Sequence, residues 1–169
     1  MKNKRILEIK CPGAAARNKP ERFVEYTFDE FTLLLPQDWR ELAEPPRDTL
    51  EWDSSVEDAW LAVRVKAHQA ADGEVARLSE SNLAASLRSL QELAPGEVTV
   101  LRHASKPRPD GEGMEFSYVA ETARRTHFQL GYVTRSKVLS FGLICGACRE
   151  EAMDLYDRFL NERLRLTLH

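Results

Sequence analysis

The sequence predicts an α+β fold, a largely antiparallel β-sheet of about six to eight strands with helices packed on it. Three observations lead there. Apolar and polar residues alternate in several short runs, the two-residue period of a strand with one buried face. The period changes to that of an amphipathic helix in only two places, around residues 81–94 and from about Arg149 to Arg163. The order is hairpins, a helix, a four-strand meander and a closing helix. That is not the strand–helix alternation of a parallel sheet.

Residues 1–20 mix charges, Pro12, Gly13, Pro20 and an alanine run, and they read as a flexible N-terminal arm ahead of one domain spanning 21–169. Val24, Tyr26 and Phe28 alternate with polar partners, and Phe31–Leu35 follows as a hairpin-linked strand that Pro36 ends. Pro36 to Arg40 reads as a turn or a single helical turn, and Pro45–Pro46 as a loop. Two strands come next, Thr49–Asp53 and Trp60–His68. In the second, Leu61, Val63, Val65 and Ala67 alternate with Arg64 and Lys66. Leu83, Leu87, Leu90 and Ala94 then share one helical face, with Ser79 or Ser81 as the candidate cap and Pro95–Gly96 as the stop. Strands return at Glu97–His103, Met114–Thr122, His127–Thr134 and Val138–Cys145, joined by hairpin loops and a tight turn at Arg135–Lys137. The closing helix carries Ala152, Leu155, Tyr156, Phe159 and Leu160 on its apolar arc.

Composition excludes several classes of function. With 169 residues and 43% hydrophobic content, one core needs no metal or disulfide to hold it. A net charge of -3 opposes non-specific nucleic-acid binding, which requires a basic excess. The basic start Lys2, Lys4 and Arg5 is followed by Glu8 and Lys10, so no signal-peptide core develops, and no window is long and apolar enough for a membrane span. Three cysteines are too few for a disulfide scaffold. The expectation is a cytoplasmic protein with reduced thiols and no membrane insertion.

Chemistry-bearing residues are dispersed. The sharpest local signal is Cys145-Gly-Ala-Cys148, at a strand end before a helix, where the helix dipole favours a thiolate and the spacing suits two zinc ligands. Against a redox or zinc role, Cys145 shares strand parity with Leu139, Phe141 and Leu143, and Cys148 shares the helical arc of Ala152, Leu155 and Phe159, so both read as packing residues. The histidines His68, His103, His127 and His169 lack metal-ligand spacing, although His103 and His127 sit on strands that could bring them together. No phosphate loop or nucleophile elbow occurs, so no catalytic residue, cofactor or metal is assigned. Two basic groups, Arg102 with His103, Lys106 and Arg108, and Arg124 with Arg125 and His127, would form one cationic rim if their loops share an end of the sheet. Trp39, Trp52 and Trp60 divide between core and partner surface, and a partly exposed one marks the latter. Trp39, Trp52, Trp60, Arg124 and Arg125 are thus the candidate partner-binding residues, with Cys145 and Cys148 the redox alternative.

The segment Phe31-Thr-Leu-Leu-Leu-Pro36-Gln-Asp-Trp39, a short strand running into a Pro-x-x-Trp turn, resembles the opening of PsbP-like and DcrB-like domains. The later order is similar too, down to a Gly131-Tyr132 strand and a last helix ending in Phe159-Leu160, so the likeness spans roughly residues 22–166. It implies a PsbP-like α/β/α sandwich without enzymatic activity, in which Phe31, Pro36 and Trp39 are structural. Members of this family serve as photosystem assembly factors, envelope lipoproteins, a Ran-binding import factor and type VI secretion effector chaperones. The expected function is accordingly a non-catalytic protein-binding module, a cytoplasmic chaperone or adaptor for a secretion effector. It would act as a homodimer or with another protein, through a contiguous exposed apolar patch.

Overall fold

The computed structural model describes residues 3–9, 21–43, 48–71, 73–146, 150, 152, 153, 167 and 168. Eleven strands and one long helix are described: β1 Asn3–Ile9, β2 Glu21–Thr27, β3 Phe31–Pro36, β4 Arg40–Glu41, β5 Thr49–Ser54, β6 Ala59–Ala67, α1 Glu74–Leu93, β7 Thr99–Pro107, β8 Met114–Glu121, β9 Thr126–Val133, β10 Lys137–Cys145 and β11 Thr167–Leu168. They form two compact units, Met1–Arg40 with Met153–His169, and Glu41–Ala152. The α+β class holds, and every strand register described is antiparallel. The strands divide between a four-stranded sheet, ordered β1-β2-β3-β11, and a seven-stranded one, ordered β4-β5-β6-β10-β9-β8-β7.

In the first unit, the β2–β3 hairpin closes with the Phe28 N–H donating to the Phe31 carbonyl, and the two rings stack with centroids 4.6 Å apart. The Pro-x-x-Trp turn is present: β3 ends at Pro36, and the Trp39 N–H donates to the Pro36 carbonyl at 3.1 Å. One expectation changes here. Part of the segment read as a flexible arm is β1, with Lys4 opposite Tyr26 and Ile6 opposite Val24. Lys4 lies over the Tyr26 ring, 5.3 Å from its centroid. The charged residues Lys4 and Arg5 do not prevent this pairing, since an edge strand tolerates charged side chains.

In the second unit, the two faces of the seven-stranded sheet differ as period-2 alternation dictates. Leu61, Val63, Phe128, Leu130, Phe141 and Leu143 stand on one face and are all buried. The other face carries α1 over β7, β8 and β9. There Leu83 and Leu90 pack with Phe116, Tyr118, Ala120 and Val133. The helix begins at Glu74, not at Ser79 or Ser81. Its N-cap is Gly73 at φ 88, and the Glu74 carboxylate takes up the Ala71 N–H at 3.0 Å and pairs with Arg77 at 2.9 Å. Ser79 is buried and shares a 2.8 Å hydrogen bond with Ser105 of β7, so it fixes the helix to the sheet and does not cap it. Of the expected closing helix, Glu150, Ala152 and Met153 are helical and the remainder lies outside the described residues. No helix among the described residues is long and apolar enough to cross a membrane.

Candidate functional site

Helix α1 covers only part of its side of the sheet. Its start lies beside Gly113, Met114 and Thr134, and its end beside His127 and Ile144, so it runs along β8 and leaves β10 and β6 beyond its flank. The registers place three rows of side chains there. Trp60 lies opposite Ile144, which lies opposite His127; Ala62, Gly142 and Gln129 form the second row; Arg64, Ser140 and Gly131 form the third. Ala62 and Gly142 are small enough to make a floor, and a Cβ on Gly142 would come within 3.2 Å of Gln129 Oε1. The result is a cleft of about 260 Å³, walled by Ser86, Ser89, Leu90 and Leu93 of α1. Ligand cavities start at about 300 Å³, so the cleft suits a small group or a few side chains of an extended segment.

Apolar surface concentrates at one end of this cleft. Leu93 is 83% exposed, and Trp60 and Ile144 are half-buried beside it. Among the described residues the other exposed large hydrophobics, Ile6 and Val56, stand singly on other elements, so the contiguous open patch expected of a binding module is replaced by a recessed one. Trp60 and Ile144 also line an adjoining cavity of about 560 Å³ with Asp53, Asp58 and Arg125. At its rim Arg125 Nη1 donates to Asp58 Oδ1 at 2.7 Å, while Asp58 holds a left-handed backbone at φ 45.

The titratable groups are tuned by burial. His127 is pushed below the usual imidazole range, first by burial and then by the neighbouring Arg125 charge, so its ring is neutral at pH 7. Burial raises the Tyr118 phenol. The Cys145 thiol is pushed up to about 12 by burial, with the Glu57 and Asp58 charges adding to the effect. It shares a face with Leu139, Phe141 and Leu143 and is 2% exposed, an environment that holds the sulfur protonated and out of reach. Cys148, the other half of the motif, lies outside the described residues. No group of three or more metal-binding side chains occurs among the described residues.

The candidate residues separate accordingly. Trp39 and Trp52 are interior, at 3% and 0% exposure, and Trp60 alone of the three reaches the cleft. Arg124 is exposed, and Arg125 is engaged with Asp58. The two basic groups do not share a rim. The β7–β8 loop follows Pro107, opposite Met114, while the turn carrying Arg124 and Arg125 follows Glu121 at the other end of β8. Lys106 is paired with Glu115 and Arg108 with Asp110, which leaves little net cationic field at the first loop. His103 faces Tyr118 and His127 faces Ala120, so β8 keeps them two strand spacings apart, roughly 10 Å. Tyr118, Gln129, Ser140 and Arg64 were not singled out from the sequence. The signal for the last three was the small or polar parity of three runs, Ala62-x-Arg64, Gln129-x-Gly131 and Ser140-x-Gly142, which becomes one surface only once the order β6-β10-β9 is known.

No family model matches the sequence, and no curated protein does. Among solved structures, the chain is similar to the solution structure of cyanobacterial PsbP (CyanoP) from Synechocystis sp. PCC 6803, with a TM-score of 0.69 and 13% identity over 94% of this chain and 99% of that one. The fold is therefore PsbP-like, as the strand and Pro-x-x-Trp turn suggested, and at this identity the likeness carries the fold alone.

Proposed function

We propose that this chain is a non-catalytic protein-binding module that holds a segment of a partner protein in the cleft between the end of α1 and strands β6, β10 and β9. The observation that carries it is the gathering of Trp60, Ile144, Leu90 and Leu93 in a recess whose Arg64, Gln129 and Ser140 side chains hold no hydrogen bond or ion pair among the described residues. Trp at the centre of a recessed apolar site is the usual anchor of a protein contact. The dispersal of titratable groups supports the non-catalytic part: a protonated interior thiol, a neutral His127 and a paired Arg125 provide no acid, base and nucleophile converging on one point. In finer form, the module is a cytoplasmic chaperone or adaptor for a secretion effector, shielding an apolar segment of that client.

A photoactivatable residue placed at Leu93 tests this in the native host. Leu93 is expected to crosslink a discrete protein partner, and the same group at Arg88, on the solvent face of α1, is expected to capture none. Equal capture at both positions, or none at either, would remove the cleft as the docking site.

A further inference from the structure

Which chemistry the cleft accepts follows from the side chains that the fold leaves unengaged. Arg64 is exposed and takes part in no ion pair or hydrogen bond among the described residues, whereas Arg77, Lys106, Arg108 and Arg125 are each engaged, with Glu74, Glu115, Asp110 and Asp58. No described residue lining the cleft is an Asp or Glu. Glu51 and Asp53 of β5 share this face but stand behind β6, and neither lines the cleft. His127 is neutral, so Arg64 is the charge of the lining, and the Ser140 hydroxyl sits across from it on β10. An Arg without a partner, held beside a hydroxyl on rigid strands, matches a carboxylate, which it grips with two parallel N–H donors.

Spacing then sets the form of the occupant. Trp60 and Arg64 lie four residues apart on one strand and point to the same side, a separation of about 13 Å. The row between them is Ala62, Gly142 and Gln129, low enough for a backbone to pass. We infer that the cleft takes an extended protein segment with a large apolar side chain at the Trp60–Ile144–Leu93 end and a carboxylate up to four residues away against Arg64. This rests on the protein-binding function proposed above and specifies the partner's chemistry: an apolar anchor and an acid at fixed spacing.

The test uses the full chain and capped eight-residue peptides of Ser and Thr carrying Phe and, four positions on, Glu. Matched peptides replace Glu by Gln or Lys, or Phe by Ala. Binding is read by anisotropy of a labelled peptide. The Phe/Glu peptide is expected to bind about tenfold tighter than Phe/Gln, the gain of a charge-assisted contact, with Phe/Lys weaker still. Arg64→Glu, which loses no internal partner and should keep its urea midpoint, is expected to invert that order in favour of Lys. Equal binding of Phe/Glu and Phe/Gln, with Phe→Ala still weakening it, would overturn the charge rule and leave the cleft as a docking site. Absence of binding by every peptide, or binding indifferent to Trp60→Ala, would overturn both.

Discussion

Cys145 illustrates how local parity decides chemistry. Its position before a helix invites a reactive thiolate, but alternation along β10 turns the sulfur to the side of Leu139, Phe141 and Leu143. Because burial raises its pKa from 9.0 to about 12, the native state resists ionisation where the unfolded chain does not. The thiol is neutral in both states below about pH 9, so this stabilisation is complete there. Above that the unfolded state ionises first, and stability falls by about 1.4 kcal/mol per pH unit until the native thiol ionises near 12. Urea midpoints measured from pH 8 to 11 should therefore fall more steeply for the protein than for Cys145→Ala. Parallel curves would show that the thiol is solvated in the native state. The same experiment separates packing from redox use, since a catalytic thiol is ionised well below pH 9.

Pairs of elements explain what propensity alone missed. The apolar stripe read from Leu83 to Ala94 placed the helix start near residues 79–81, so Ser79 looked like a cap. The cap is instead a left-handed Gly73 with the Glu74 carboxylate folded back on Ala71, and the apolar stripe extends upstream through Val75 and Leu78 to meet the core. Between β8 and β9 a comparable dependence arises. Gly131 lies opposite Phe116, and a Cβ built there would stand 2.1 Å from the Phe116 ring, so the ring occupies the place of the missing side chain. Gly131→Ala must displace a fully buried aromatic from under α1, at a cost of about 1–3 kcal/mol. Chemical denaturation should show this, and Phe116→Leu combined with Gly131→Ala should cost less than the two changes summed, because the smaller side chain vacates the space. Additive effects would mean that the ring does not cover the glycine. From the sequence, Phe116 and Gly131 each read as part of a strand, but their apposition depends on the register, which only the folded sheet supplies.

Across the whole molecule, the strand and helix pattern was legible because each element has one buried face, and alternation or helical period records that face locally. The cleft was legible only in part. It is built from the less apolar parities of three strands adjacent in space and separated in sequence by up to 84 residues (Trp60 to Ile144), and no local rule joins them. Trp60 was visible as an aromatic that opens a strand, though the sequence did not distinguish it from Trp39 and Trp52. That distinction yields a separable prediction. Trp52 is fully buried on β5, so Trp52→Ala should destabilise by about 3–5 kcal/mol, whereas half-buried Trp60 should cost under about half of that. Acrylamide quenching reports the same division in the intact protein: one of three tryptophans should be accessible, and Trp60→Phe should remove the quenchable fraction without shifting the emission of the other two. A binding defect in Trp60→Ala at an unchanged folded fraction then belongs to the site. If Trp60→Phe leaves quenching as it was, the indole is interior, and the cleft loses the anchor on which partner recognition depends.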